Sequence, residues 1–258
     1  PLIPALIEGG YLSAWQAGAV GSSNFGGYLI GAIVAPAMRM RWGEGTTLRV
    51  SLLTGLIGLF ACALPFGFQW LVLWRAILGA VVGIMMIYCL SITTRHAPPR
   101  KLGAATGIVY TGVGVGILLS GSLVPWLLTY GITIAWVGIA SVGILAFFIA
   151  FWGWKPLDRE IPEGPLQNTP HPKLEWSLTV SGLITMRTLF SIGLIPHTIY
   201  WVDYLVRGLG NKIEFGGMHW IIFGLGAIGG TYIWGRLADR FGFHIGLALA
   251  FATVATGI

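Results

Sequence analysis

Long apolar runs, separated by short charged clusters, make up most of this chain. They fall at about 14–38, 48–66, 69–94, 102–128, 132–154, 176–204 and 216–238, with another opening near 244. An apolar run of about 18 or more residues is long enough, as a helix, to cross a hydrocarbon layer about 30 Å thick. The pattern predicts an all-α membrane protein. Residues Pro1 to Ala5 read as the tail of an earlier helix, and the last run stops at Ile258. The first residue is not Met. The expectation is a fragment, from the end of a first helix to the start of a ninth. Residues 153–175 break the pattern with Pro156, Pro162, Pro165, Pro170 and Pro172 among charged side chains and His171. No packed core can be built from them, so they read as a cytoplasmic linker. It separates a first half-bundle, 1–152, from the start of a second, 176–258.

Composition agrees, and charge placement adds an orientation. The chain is 55% hydrophobic and 9% charged, against about 25% charged in soluble domains. A net charge of +6 raises nucleic acid or anionic lipid as partners, but placement argues for topology instead. Arg39, Arg41, Arg49, Arg95, Arg100, Lys101, Lys155, Arg159, Lys173, Arg236 and Arg240 fall on one set of alternating loops. Arg207 and Lys212 fall on the other, and Arg75 and Arg187 lie inside runs. This is the positive-inside pattern, with the basic loops in the cytoplasm. It assigns the lipid bilayer as environment and gives no support for nucleic acid.

One charged knot stands between the last two runs: Gly235-Arg236-Leu237-Ala238-Asp239-Arg240-Phe241-Gly242. Pinched there, it has to be a tight turn at a water interface. Gly235 and Gly242 supply backbone freedom where one helix ends and the next begins. Asp239 and Arg240 can bond helix ends and each other. A shift of 199 positions lays Arg41-Trp42-Gly43 on Arg240-Phe241-Gly242, Gly27 on Gly226 and Gly31 on Gly230. The echo suggests two related halves, as in many secondary transporters.

The same eight residues resemble the loop signature of the major facilitator superfamily, G-x-L-A-D-R-x-G-R-K, which follows its second and eighth helices. Phe243 and His244 stand where a basic pair usually comes. The first-half copy is degraded, with Pro36 for the leading Gly and Met40 for the Asp. GSSNFGGYLIGA, at 21–32, is similar to the second helix of the superfamily's YbfB/YjiJ branch. The resemblance implies two pseudo-symmetric six-helix bundles and secondary transport of a small organic solute by alternating access. It also implies that Gly235, Asp239, Arg240 and Gly242 lock cytoplasmic helix ends in one access state.

Several positions inside the runs carry candidate chemistry. Asn24 either faces a central cavity or makes an interhelical hydrogen bond. Arg75, with Gly79, is similar to the superfamily's fourth-helix motif R-x-x-Q-G-x-G, with Leu78 and Val81 departing from it. It either snorkels outward or faces a substrate pathway. Gly103, Gly112, Gly116 and Gly121 resemble the fifth-helix motif G-x8-G-x3-G-P-x2-G-G, with Ile117 for Pro and Ser120 for one Gly. Glycines at these spacings lie near one helix face and permit close contact, which the resemblance places against the other half. Arg187 sits near mid-bilayer, where a cation costs about 2.5–3.5 kcal/mol on insertion scales and should face protein or water. Pro196 is expected to interrupt the seventh helix. His197, Tyr200 and Trp201 share a face, as an interfacial aromatic belt or as an outer gate.

Cys62 and Cys89 read as small buried residues, and the five His are scattered, so no metal or cofactor is expected. All nine acids fall in loops or at helix ends, so a coupling proton would need His197 or a carboxylate elsewhere. Arg75 and Arg187 lack acidic neighbours at i±3 or i±4, which points to an anionic or zwitterionic substrate. The expectation is a monomeric, multi-pass transporter of a bacterial cytoplasmic membrane and not an enzyme, taking up or exporting its solute. A receptor or scaffold on the same fold and a membrane-embedded enzyme are the alternatives.

Overall fold

The computed structural model describes residues 2–153 and 176–257. Most of the proline-rich stretch expected as a linker, with His171, lies outside the described residues. Among those described, the ordered elements are helices: α1 (Leu2–Glu8), α2 (Ala14–Trp42), α3 (Glu44–Ala61), α4 (Phe68–His96), α5 (Leu102–Leu128), α6 (Ile132–Gly153), α7 (Leu178–Asp203), α8 (Ile213–Phe241) and α9 (Phe243–Gly257). A 3₁₀ turn, Pro99–Lys101, leads into α5, and a π turn, Tyr204–Gly208, closes α7.

Local sequence explains the starts. Ser13 caps α2: its hydroxyl accepts from the Gln16 N–H at 3.4 Å, and the Gln16 side chain accepts from the Ser13 N–H at 2.8 Å. Ser177 caps α7 through the Val180 N–H, at 3.2 Å. Gly43 (φ 75°) separates α2 from α3, and Gly242 (φ 92°) separates α8 from α9. Both sit in the left-handed region, where a side chain would be strained. The shift of 199 positions therefore relates whole elements. Helices α2 and α8 are 29 residues each, and both of their ends coincide under it.

Among the described residues, five helices are long and apolar enough to cross a membrane: α4, α5 with its 3₁₀ lead, α6, α7 with its π turn, and α8. The run expected at 14–38 is helical as part of α2, and the run at 48–66 is helical as far as Ala61, in α3. They are diluted by Gly, Ser, Thr and Arg, and Gly27 and Gly31 of α2 are where α4 approaches. Leu48 and Ala35 are fully buried, whereas Leu178, Ile33 and Ile149 project outward. Small residues inside and large apolar ones outside is the arrangement for packing in lipid.

Two helix pairs form the frame. Helices α2 and α4 run parallel. A Cβ at Gly27 or Gly31 would collide with the carbonyl of Ala76 or Ala80, and one at Gly79 or Gly83 with that of Asn24 or Tyr28. Further along, the Tyr88 hydroxyl donates to the Ala35 carbonyl at 2.7 Å. Helices α5 and α8 run antiparallel, with Gly103 against Gly235 at one end and Gly121 against Gly217 at the other.

Glu44, at the start of α3, pairs with Arg39 at 2.9 Å and with the Arg95 guanidinium, tying the ends of α2, α3 and α4 together. The start of α5 and the end of α8 lie at this same end of the bundle. Arg39, Arg41, Arg95, Arg100, Lys101, Arg236 and Arg240 thus crowd one end, while Arg207 and Lys212 lie at the other. Arg49, placed by its sequence in a loop, is inside α3 with its guanidinium 5.3 Å from the Phe151 ring centroid. Pro196 does not interrupt α7, which stays helical from Leu178 to Asp203. The proline removes one N–H, and the flanking turns keep their geometry.

Candidate functional site

The signature residues, expected as a tight turn, stay helical through Phe241, so Gly235 lies inside α8 and only Gly242 makes the turn; from the last turns of α8 they clamp it to α5. Asp239 Oδ1 accepts from the Gly103 N–H at 2.7 Å, and Oδ2 from the Ala104 N–H at 2.8 Å. These N–H groups open α5, where helical partners are lacking and the helix dipole presents positive charge. One turn before Asp239, Gly235 lies against the Gly103 carbonyl, and a side chain on either glycine would strike the other's backbone. Asp239 and Arg240 do not pair with each other. The carboxylate is used by α5, and the Arg240 guanidinium lies 5.3 Å from the Phe241 ring centroid. Arg236 donates to the Tyr232 hydroxyl at 3.2 Å. In the earlier copy of the loop Met40 holds the Asp position, and Glu44 supplies the acid instead, bonded within its own group of helices.

The glycines of α5 divide. Gly103 and Gly121 meet α8 as the motif implies, but a Cβ at Gly112 or Gly116 would meet open space. Gly107, against the Thr231 carbonyl, and Gly114, against Ile228 and Gly224, take their place. Gly107, Gly114 and Gly121 are spaced by seven. That spacing keeps one face toward an antiparallel neighbour along the whole contact. A search for seven-residue spacing would have found them. The Trp220 indole N–H donates to Ser120 Oγ at 3.1 Å across the same contact.

Asn24 Nδ2 donates to the Arg75 carbonyl at 2.9 Å, so it makes the interhelical bond. The Arg75 side chain is partly buried, and Cys62 lies within its charge reach. Arg187 is exposed on α7, 5.7 Å from the Phe190 ring centroid. Among the described residues, neither arginine forms an ion pair.

The two arginines stand at different depths, with α2 as the ruler. Gly18 lies under the Tyr200 hydroxyl, and Asn24, about 9 Å deeper, marks the level of Arg75. Arg187 lies about 20 Å along α7 from Tyr200, hence about 11 Å beyond Arg75 toward the clamp end.

At the opposite end, the expected aromatic face splits. Tyr200 packs on Gly18, and the neighbouring Ile199 lies 3.3 Å from where a Gly21 Cβ would stand. His197 stacks on Trp201, with centroids 4.6 Å apart. Trp201 lies 6.4 Å from His219 of α8, which packs 4.3 Å from Phe215. Asp203 lies 3.5 Å from Arg207. His219 joins this group only in three dimensions, since nothing local in the sequence marks it.

A family model described as "Uncharacterised MFS-type transporter YbfB" matches residues 1–258. The chain is 28% identical, over 93% of its length and 60% of the relative's, to a "Putative metabolite transport protein" of Haemophilus influenzae. It is 26% identical to the "3-(3-hydroxy-phenyl)propionate transporter" of Escherichia coli, over 89% of this chain and 57% of that protein. It is 26% identical to the "4-hydroxybenzoate transporter PcaK" of Acinetobacter baylyi, over 60% of this chain and 32% of that protein. The chain thus spans at most about three-fifths of the length of these relatives. No solved structure matches it.

Proposed function

Because this chain belongs to the YbfB-type family of major facilitator transporters, we propose that the protein it represents is a secondary transporter. It moves a small anionic or zwitterionic organic solute across a bacterial cytoplasmic membrane by alternating access. The Asp239–α5 clamp carries this reading. It joins a helix before the linker to one after it by two hydrogen bonds and a glycine contact. A junction of this kind can open as a unit, because two charge-assisted bonds end at a single carboxylate. On this view residues 1–152 and 176–258 belong to two half-bundles joined by 153–175, and the clamp end faces the cytoplasm.

The charge of the solute rests on Arg75 and Arg187. A cation inside a span needs an anion, and the described residues offer none, so a carboxylate on the solute meets the requirement. Two relatives are named for aromatic acids and a third, from Bacillus subtilis, for hexuronate, all of them organic acids. The transport unit in this reading is a monomer in the bilayer, with no cofactor.

Flux in proteoliposomes holding the full-length protein tests the reading. A panel of labelled organic acids is offered with and without a pH gradient, which also reports proton coupling. Gradient-driven flux of an organic acid, reduced about tenfold or more by Arg187→Gln, is the expected result. The absence of flux for every acid would favour a receptor or scaffold. Conversion of a solute would favour an enzyme.

A further inference from the structure

A groove of about 410 Å³ runs between α5 and α8 at the end away from the clamp. Its floor is the glycine contact itself. Gly121 lies against Gly217, and a Cβ at Gly217 would also strike the Pro125 ring. Small residues there bring the two backbones together and leave the space above them open. Trp126 of α5 and Met218 and Ile221 of α8 form the walls, and Trp126 and Met218 are exposed. Thr129, just past the end of α5, and Glu214, in the first turn of α8, stand at the far end. The groove is therefore graded by depth. Glu214 and Ile221 are seven residues apart, about 10 Å along the axis. The polar groups lie where the helices end, beside the edge-to-face pair of Trp126 and Tyr130, whose centroids are 5.6 Å apart. Aromatic residues of this kind mark the headgroup level of a bilayer, so the apolar walls below meet acyl chains.

The groove also turns away from α7. Glu214, Met218 and Ile221 share one face of α8, at i, i+4 and i+7. Gly216, against Val202 and Val206 of α7, and Trp220, bonded to Ser120, lie on the opposite face. Helix α7 carries Arg187, so the groove stands apart from the route read for the solute.

We propose that this groove is a lipid site, taken by a phospholipid with a primary ammonium headgroup, phosphatidylethanolamine. Glu214 brings a carboxylate to the polar end and has no ion-pair partner among the described residues. An alkylammonium carries the complementary charge and offers three N–H donors. A choline headgroup has the charge without the N–H groups, and a glycerol headgroup lacks the positive charge. Lys212, two residues before Glu214, offers a cation for the adjoining phosphate. One acyl chain lies along Trp126, Met218 and Ile221. A lipid occupant is independent of the transport reading, since the bilayer itself supplies it.

Native mass spectrometry of the full-length protein in detergent tests the site. Phosphatidylethanolamine and phosphatidylcholine with the same acyl chains are offered in equal amounts. The wild type is expected to retain the first over the second by about threefold to fivefold. Glu214→Gln should bring that ratio close to one, and Glu214→Asp should keep part of it. Ser122→Trp, which fills the groove from an exposed position on α5, should lower the binding of both lipids. Glycerophosphoethanolamine, the same headgroup without chains, should not compete, which separates a lipid from a free amine. Gel filtration confirms that each variant is folded, with Glu214→Asp as the conservative control. Equal retention of the two lipids by the wild type, or a preference that survives Glu214→Gln, overturns the lipid site. Undiminished binding in Ser122→Trp, or competition by the soluble headgroup, does the same. Organic-acid flux is scored separately in proteoliposomes, so the failure of either reading leaves the other standing.

Discussion

Asp239 reaches from the last turn of α8 to the backbone N–H of Gly103, 2.7 Å away at the opening of α5. The contact binds two helices that are far apart in the chain, and it uses a charge where the helix dipole favours one. An amide there keeps one acceptor and replaces the other with a donor facing an N–H. Asp239→Asn is expected to weaken the clamp by about 1–2 kcal/mol, a shift of about fivefold to thirtyfold between closed and open cytoplasmic ends. Cysteine accessibility at Thr106, next to the clamp, should rise accordingly. Unaltered labelling together with unaltered flux would show that the bonds do not hold the gate.

The split among the α5 glycines gives a paired comparison. Gly114→Val inserts atoms against Ile228 and Gly224, and overpacking of this kind costs about 1–3 kcal/mol. Gly112→Val meets open space. The first should lower the melting temperature in detergent by several degrees, and the second should leave it close to wild type. Equal losses would mean that the contact face of α5 is assigned wrongly.

Asn24 bonds a backbone carbonyl, so its removal should appear in stability before selectivity. Asn24→Leu is expected to destabilise the α2–α4 pair by about 0.5–2 kcal/mol, the range for interhelical polar bonds in membranes. Relative rates among substrates should be retained. A change in substrate preference without a change in melting temperature would place Asn24 on the solute instead.

The depth difference between Arg75 and Arg187 predicts additivity. Groups about 11 Å apart along the axis, without shared partners, should contribute separately. Arg75→Gln and Arg187→Gln are each expected to weaken anion binding, and the double variant should combine the two losses within about 0.5 kcal/mol. A double variant no worse than either single one would place both arginines on one carboxylate.

Orientation has its own measurement. Arg100→Cys, at the clamp end, and Lys212→Cys, at the opposite end, should label from opposite sides of the membrane in intact cells. An impermeant reagent added outside is expected to reach only the second position. Labelling of both from outside would invert the assignment of the cytoplasmic end.

Much of the helical frame was legible in the chain. Membrane-length runs are a one-dimensional property, because a helix in lipid satisfies its own backbone and shows its apolar side chains outward. The repeat of 199 positions was equally legible, since Gly43 and Gly242 must both sit at positive φ. The motif also marked Asp239, although its partner did not show: an N–H at the start of a helix has no sequence signature.

Tertiary structure alone decided which glycines of α5 are contacts. Four glycines share an approximate face by spacing, but the crossing of α8 selects Gly107 and Gly114 over Gly112 and Gly116. It decided that Asn24 serves a carbonyl and that α7 stays helical through Pro196. Hydrophobic pattern and charge placement act along one helix and against one solvent. Close approach depends on the angle and depth at which two helices cross, and residues far apart in the chain determine that jointly.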